Sequence, residues 1–172
     1  MITIKTLTAQ KITPETFAPY GQLITPSEDG KPFNTEDAQL DLSQGTPRFY
    51  IMRLRDRALG FHEIARHQQC TQCLGSLGGK IWFLAVAPPS EADSLNFETL
   101  KVFQIPGDCF IKLHKGTWHA GPHFDGGVVD FYNLELSDTN ERDREVYNFK
   151  KRDRIAFKIQ TASDDSSSSS QS

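Results

Sequence analysis

Residues 80–87 read KIWFLAVA. Seven apolar residues in a row, rich in aromatic and β-branched side chains, form a strand that is buried on both faces. A glycine turn precedes it at Gly78-Gly79, and Pro88-Pro89 closes it. Such a strand needs other structure above and below, so its neighbours decide the fold. On either side the chain repeats the same signal. RFYIMRLR (48–55), LKVFQI (100–105), CFIKLH (109–114) and VVDFYNLEL (128–136) are each bounded by Gly, Pro or Asp. Helix-period segments are nearly absent. Regularly spaced short strands of this kind predict an all-β barrel or jelly roll.

Further out, ITPETFAPYG (12–21) is a short helix. Thr13 caps it, Pro14 takes the first helical position and Glu15 suits the first turn, while Pro19 and Gly21 end it. GQLIT then reads as a strand. Residues 26–47 are polar and turn-rich and read as a long loop. The charged run ERDREVYNFKKRDR (141–154) reads as a solvated surface segment. Residues 161–172, TASDDSSSSSQS, lack the apolar content to pack and are expected to be disordered. The domain organisation is therefore one domain over 1–160 and a serine-rich tail.

A chain of 172 residues buries roughly 70% of its unfolded surface and needs no staples. Its net charge is −3, from 19 basic and 22 acidic residues, so neither nucleic acid nor a membrane surface is an expected partner. The N-terminal MITIKTLTAQKI lacks the apolar core of a signal peptide, and no apolar run approaches the roughly 20 residues that span a bilayer. Three cysteines argue against a disulfide framework and suit a reducing, cytoplasmic setting. Cys70 and Cys73 form a C-x-x-C match without a second pair or a helix context, so they are read as packing residues.

The chemistry gathers in two blocks. FHEIARHQQCTQCLGS (61–76) holds His62, Glu63, Arg66, His67 and Gln72, and KLHKGTWHAGPHF (112–124) holds His114, His119 and His123. Alternate residues of a strand share a face, so only one of Arg66 and His67 faces the interior. Imidazoles brought together from separate strands either ligate a divalent ion such as Zn, Ni, Fe or Mn, or move protons near neutral pH. Trp82 reads as core; Trp118, beside His119, is as suited to a binding wall as to packing.

These blocks resemble the ureidoglycolate lyase family of the cupin superfamily. The resemblance rests on Arg66-His67, Thr71-Gln72, Val86-Ala87, His114, Trp118-His119 and Asp130-Phe131, with TPETFAPYGQLI at the start, and it covers residues 13–140. It implies a cupin-like β-barrel (jelly roll) with a short N-terminal helix and a metal site in its mouth. On the cupin motifs H-x-H-x4-E and P-x-G-x2-H-x3-N, His67 takes the second His and Gln72 the Glu. Gly116 and His119 match the second motif, and Ala65, His114 and His123 depart from the pattern. The implied ligands are His67, Gln72 and His119, for a divalent metal (Ni, Zn or Mn). The family's second His after Trp-His is Ala120 here.

The resemblance implies cleavage of (S)-ureidoglycolate to glyoxylate and urea in allantoin breakdown. His67, His119, His114 and Gln72 are the candidate catalytic residues; Arg66, Lys112 and Trp118 are the candidate substrate-binding residues. A small carboxylate is the expected partner, and a homodimer through a sheet edge the expected assembly. Two other readings stay open: a cupin-like binding protein without turnover, and another metal-dependent cupin enzyme acting on a small acid.

Overall fold

A computed structural model describes residues 1–162. From residue 163 the serine-rich tail, with the disorder expected of it, lies outside the described residues. The strands are, in chain order, β1 (Thr3–Thr8), β2 (Gln10–Lys11), β3 (Gly21–Ile24), β4 (Pro47–Arg55), β5 (Gly60–Phe61), β6 (Glu63–Arg66), β7 (Gln72–Ser76), β8 (Gly79–Ala87), β9 (Lys101–Gly107), β10 (Phe110–Leu113), β11 (Trp118–His123), β12 (Val128–Leu136), β13 (Glu145–Asn148) and β14 (Ile155–Gln160). Three one-turn helices join them: α1 (Pro14–Phe17), α2 (Thr139–Arg142) and α3 (Phe149–Arg152).

The strands form three sheets rather than the closed barrel expected from the sequence. The five-stranded sheet runs β3-β10-β7-β12-β4, the six-stranded sheet β13-β6-β11-β8-β9-β2, and the small sheet β1-β14-β5. The chain passes between the two larger sheets at the turns joining β6 to β7, β7 to β8, β9 to β10, β10 to β11 and β11 to β12. Their edge strands do not pair across to each other. Strand spacing reports that strands exist; it does not report which edges meet, and here β4 stays an edge.

The doubly buried reading of residues 80–87 has a direct cause. Trp82, Leu84 and Val86 of β8 enter the core between the two larger sheets, against Phe103, Ile111 and Phe131. The alternate residues Phe83, Ala85 and Ala87 enter a second core with Phe61, Phe149 and Phe157, contributed by the small sheet and α3. Burying a side chain as large as Trp82 or Phe157 stabilises the fold by about 2–3 kcal/mol each.

The N-terminal helix starts as its sequence predicts. The Thr13 hydroxyl accepts from the Thr16 backbone N–H at 3.1 Å, and the Thr16 hydroxyl accepts from the Thr13 N–H at 3.2 Å. The loop after β3 is pinned back to it: Gln22 Nε2 donates to the carbonyls of Thr35 and Asp37, both at 3.1 Å. The charged run after residue 140 keeps its charged side chains exposed or partly exposed, as its composition suggests, but two apolar residues anchor it to the fold. β13 pairs with β6, and Tyr147 and Phe149 are buried in the second core. The charges lie in two runs, 141–145 and 150–154, on either side of these anchors.

Candidate active site

β6 and β11 meet at Ala65 opposite His119, and Ala65 also faces Val146 of β13. The pleat puts Ala65 and His67 on the inner face and Ile64 and Arg66 on the outer one. His67 follows the end of β6 and is 7% exposed. Its Nδ1 donates to the Asp143 carbonyl at 2.6 Å. The Asp143 carboxylate accepts the Gln68 and Gln69 backbone N–H groups, both at 2.8 Å, and so fixes the turn that carries the ring. His119 Nδ1 donates to the Thr117 carbonyl at 3.2 Å. The two rings lie 5.1 Å apart between centroids. With each Nδ1 bound to a carbonyl, each Nε2 carries the free lone pair.

Burial pushes the His119 pKa down to about 3, with the nearby His67 and Arg144 acting in the same direction and the Thr117 carbonyl opposing. His119 is therefore a neutral imidazole throughout the physiological range. Beside the pair, Gln72 Nε2 donates to Asn133 Oδ1 at 3.0 Å and to Glu135 Oε2 at 3.2 Å. Two acceptors on one side fix the orientation of the amide. Its Oε1 is buried with no hydrogen-bond partner among the described residues.

His67, His119 and Gln72 line one cavity of about 390 Å³, a size suited to a small molecule. The other residues proposed from the sequence lie elsewhere. Arg66 points to the outer face, where it pairs with Glu145 at 2.7 Å, donates to the Ser90 carbonyl and lies 4.7 Å over the Trp118 ring. Trp118 is fully buried in the second core, its indole N–H donating to Ser90 O at 3.1 Å. Lys112 shares its strand with the core residues Ile111 and Leu113, so alternation sends it to the other side of the five-stranded sheet. His114 accepts from Lys112 Nζ and donates through Nε2 to the Ala18 carbonyl, both at 3.1 Å. It borders a narrow crevice behind the histidine pair rather than the cavity.

The cavity wall also contains residues that sequence reasoning passed over: Tyr50, Asn133, Glu135, Arg57 and Arg144. Asn133 and Glu135 had a readable signal. They share the parity of Val129 and Phe131 along β12, so they are polar groups on a core-facing row. Arg144 had none, being one charge among many. His123, which departs from the cupin pattern, also lines the cavity; its Nδ1 donates to the Ala58 carbonyl at 2.9 Å.

Among the described residues no three His, Cys, Asp or Glu side chains form a metal-ligating group. The donors that do suit a cation are His67 Nε2, His119 Nε2 and Gln72 Oε1. Imidazoles with Nδ1 fixed by carbonyls, and a buried amide oxygen without a partner among the described residues, fit that use. Cys70, Cys73 and Cys109 are free and buried, and burial pushes the Cys73 thiol up to about 11, against a redox role.

The sequence model of the family described as ureidoglycolate lyase matches residues 4–156, well beyond the stretch on which the resemblance was drawn and through the charged run. No curated protein sequence matches the chain.

Proposed function

The chain belongs to the ureidoglycolate lyase family, an enzyme family of purine metabolism, and from that premise we propose that its cavity cleaves (S)-ureidoglycolate into glyoxylate and urea. The observation that carries this reading is the pair His67–His119. Two imidazoles from distant segments stand 5.1 Å apart in one cavity, each with its Nε2 lone pair available.

The substrate carbon bears a hydroxyl, a carboxylate and a ureido nitrogen. Breakdown moves the hydroxyl proton away, turns the C–O bond into C=O, breaks the C–N bond and returns a proton to the departing nitrogen. Atoms balance without any co-reactant. His119 is too weak a base to carry that proton, since burial holds it neutral; it serves as a hydrogen-bond acceptor that fixes the hydroxyl. His67, whose ring is set by the Asp143 carbonyl, is the proton carrier. Such a group is worth typically 10²–10⁴-fold in rate. Arg144 on the cavity wall, rather than Arg66 or Lys112, holds the substrate carboxylate, its fork matching two oxygens.

As the alternative to this acid–base role, His67 Nε2, His119 Nε2 and Gln72 Oε1 would hold a divalent cation (Ni, Zn or Mn), which would polarise the substrate hydroxyl and lower its pKa in place of the histidine base. The fold to which this site belongs is a cupin-like jelly roll whose two larger sheets enclose the cavity. The protein acts as a homodimer through β4, a nine-residue edge with Phe49 and Ile51 exposed, which sedimentation of the full chain tests.

The test of the activity is glyoxylate release from ureidoglycolate by the purified protein, with and without added divalent metals. Release above the spontaneous background, with KM raised at least tenfold in Arg144→Ala, is the expected result. Background rates under every metal condition overturn the reading.

A further inference from the structure

Glu135 is 2% exposed on the cavity wall, and its partners are neutral. Oε1 accepts from the Tyr50 hydroxyl at 3.3 Å and Oε2 from Gln72 Nε2 at 3.2 Å. No cation lies within ion-pair distance of it among the described residues. Arg48, opposite it on β4, instead stacks its guanidinium 3.7 Å over the Tyr50 ring. The other acid of the cavity wall, Glu63, differs in each respect: it is half-exposed and lies 4.0 Å from Arg144.

A buried carboxylate with two long hydrogen bonds from neutral donors is under-satisfied. Each ionised oxygen has a second lone pair to offer. The carboxylate is also held in place. Tyr50 accepts from Asn133 Nδ2 at 3.1 Å, Gln72 is tied to Asn133, and both Asn133 and Glu135 sit on β12, paired with β4. A fixed planar acceptor with two parallel lone pairs suits a planar group with two parallel N–H donors.

We propose that Glu135 recognises the ureido group, accepting its two parallel N–H bonds, and so makes the cavity selective for ureido acids over other small acids. This rests on the lyase reading for its ligand, but not for its geometry. A carboxylate end is repelled by Glu135 and goes to Arg144. The reacting carbon then lies between the two anchors, in the cavity that His67 and His119 also line. Tyr50, Asn133 and Gln72 are positioning residues that hold the acceptor.

The probe is N-carbamoylglycine, a ureido acid that lacks the hydroxyl and cannot undergo the cleavage. Its binding to the full-length protein is compared with that of glycolate, which lacks the ureido group. Glu135→Gln, close in shape, is expected to weaken N-carbamoylglycine 10- to 100-fold and to change glycolate less than threefold. Tyr50→Phe, which leaves the carboxylate but loosens it, is expected to fall between wild type and Glu135→Gln, and it carries the test if Glu135→Gln melts early. Equal weakening of both acids, no weakening of either, or no binding of N-carbamoylglycine by wild type overturns the proposal. Glu135-dependent binding of N-carbamoylglycine without glyoxylate release from ureidoglycolate sinks the lyase reading and leaves the recognition standing.

Discussion

Arg66 and His67 are adjacent in the chain and belong to two different regions. On the outer face, Arg66 finds Glu145, Glu91, the Ser90 carbonyl and the Trp118 ring, all within its own chain. On the inner face, His67, His119, Gln72 and Glu135 are each held by one part of the side chain and left open at another. Arg66 and the inner-face groups of His67, Gln72 and Glu135 are alike buried polar side chains. A polar cluster whose bonds all close on themselves holds elements together. One whose groups are oriented yet under-satisfied is arranged for something that arrives. The physical content of the comparison is the state of the last lone pair, not the residue type.

The sharpest way to break that distinction is to exchange the effects. His67→Ala is expected to lower kcat for glyoxylate release by 10²- to 10⁴-fold while the melting temperature moves little. A variant that loses stability and keeps its rate would place His67 with the structural cluster. Stopped assays of glyoxylate beside thermal melts of the same sample decide it.

The second test uses acid. Burial holds the His119 pKa down to about 3 in the folded protein, against 6.5 for a free imidazole, so the unfolded chain binds the extra proton between those limits. Its contribution to stability is complete above about pH 6.5 and is lost progressively as pH falls toward 3, by about 2 kcal/mol between pH 7 and pH 5. His123 and His114 are lowered in the same direction, chiefly by burial, and add to the slope. Urea unfolding at the two pH values measures it. His119→Gln is expected to flatten the dependence and leave the remainder due to the other two. An unchanged slope in that variant would mean the ring is not buried neutral.

Arg66→Met probes the closed cluster. The substitution keeps a stem over Trp118 and removes the charge. Glu145 is left partly in water, its side chain 40% exposed, so the loss is smaller than for a fully buried pair, about 1–2 kcal/mol. The folded fraction is expected to turn over substrate at the wild-type rate. A rise in KM without a loss of stability would return Arg66 to the substrate-binding role its sequence position suggested.

Which of these features could be read from the letters follows from how local they are. The Thr13 cap and the doubly buried strand 80–87 depend on near neighbours and on alternation, and both stand in the structure. The opposite facing of Arg66 and His67 is the same alternation. Closure of the sheets depends on edges far apart in sequence, which no period reports, and the expected barrel gives way to three sheets. The charged run hid Arg144 and Asp143 because composition averages over a segment, whereas Asp143 acts through a single carbonyl and a single carboxylate. Asn133 and Glu135 were visible as polar residues on an apolar row.

The smallest expected effect is the most direct check on assigning a residue by its chemistry alone. Lys112 has the charge to hold a carboxylate and the wrong side of the sheet. It is 4% exposed, burial lowers its pKa, and its amine donates to His114 Nδ1 at 3.1 Å. Lys112→Met keeps the length of the stem and removes the need to bury an amine, which offsets most of the lost hydrogen bond. Stability is expected to stay within about 1 kcal/mol of wild type, and kcat/KM within twofold, because nothing on that face reaches the cavity. A tenfold rise in KM would mean the amine communicates with the substrate through His114 and the crevice behind the histidine pair. The two faces would then be one site.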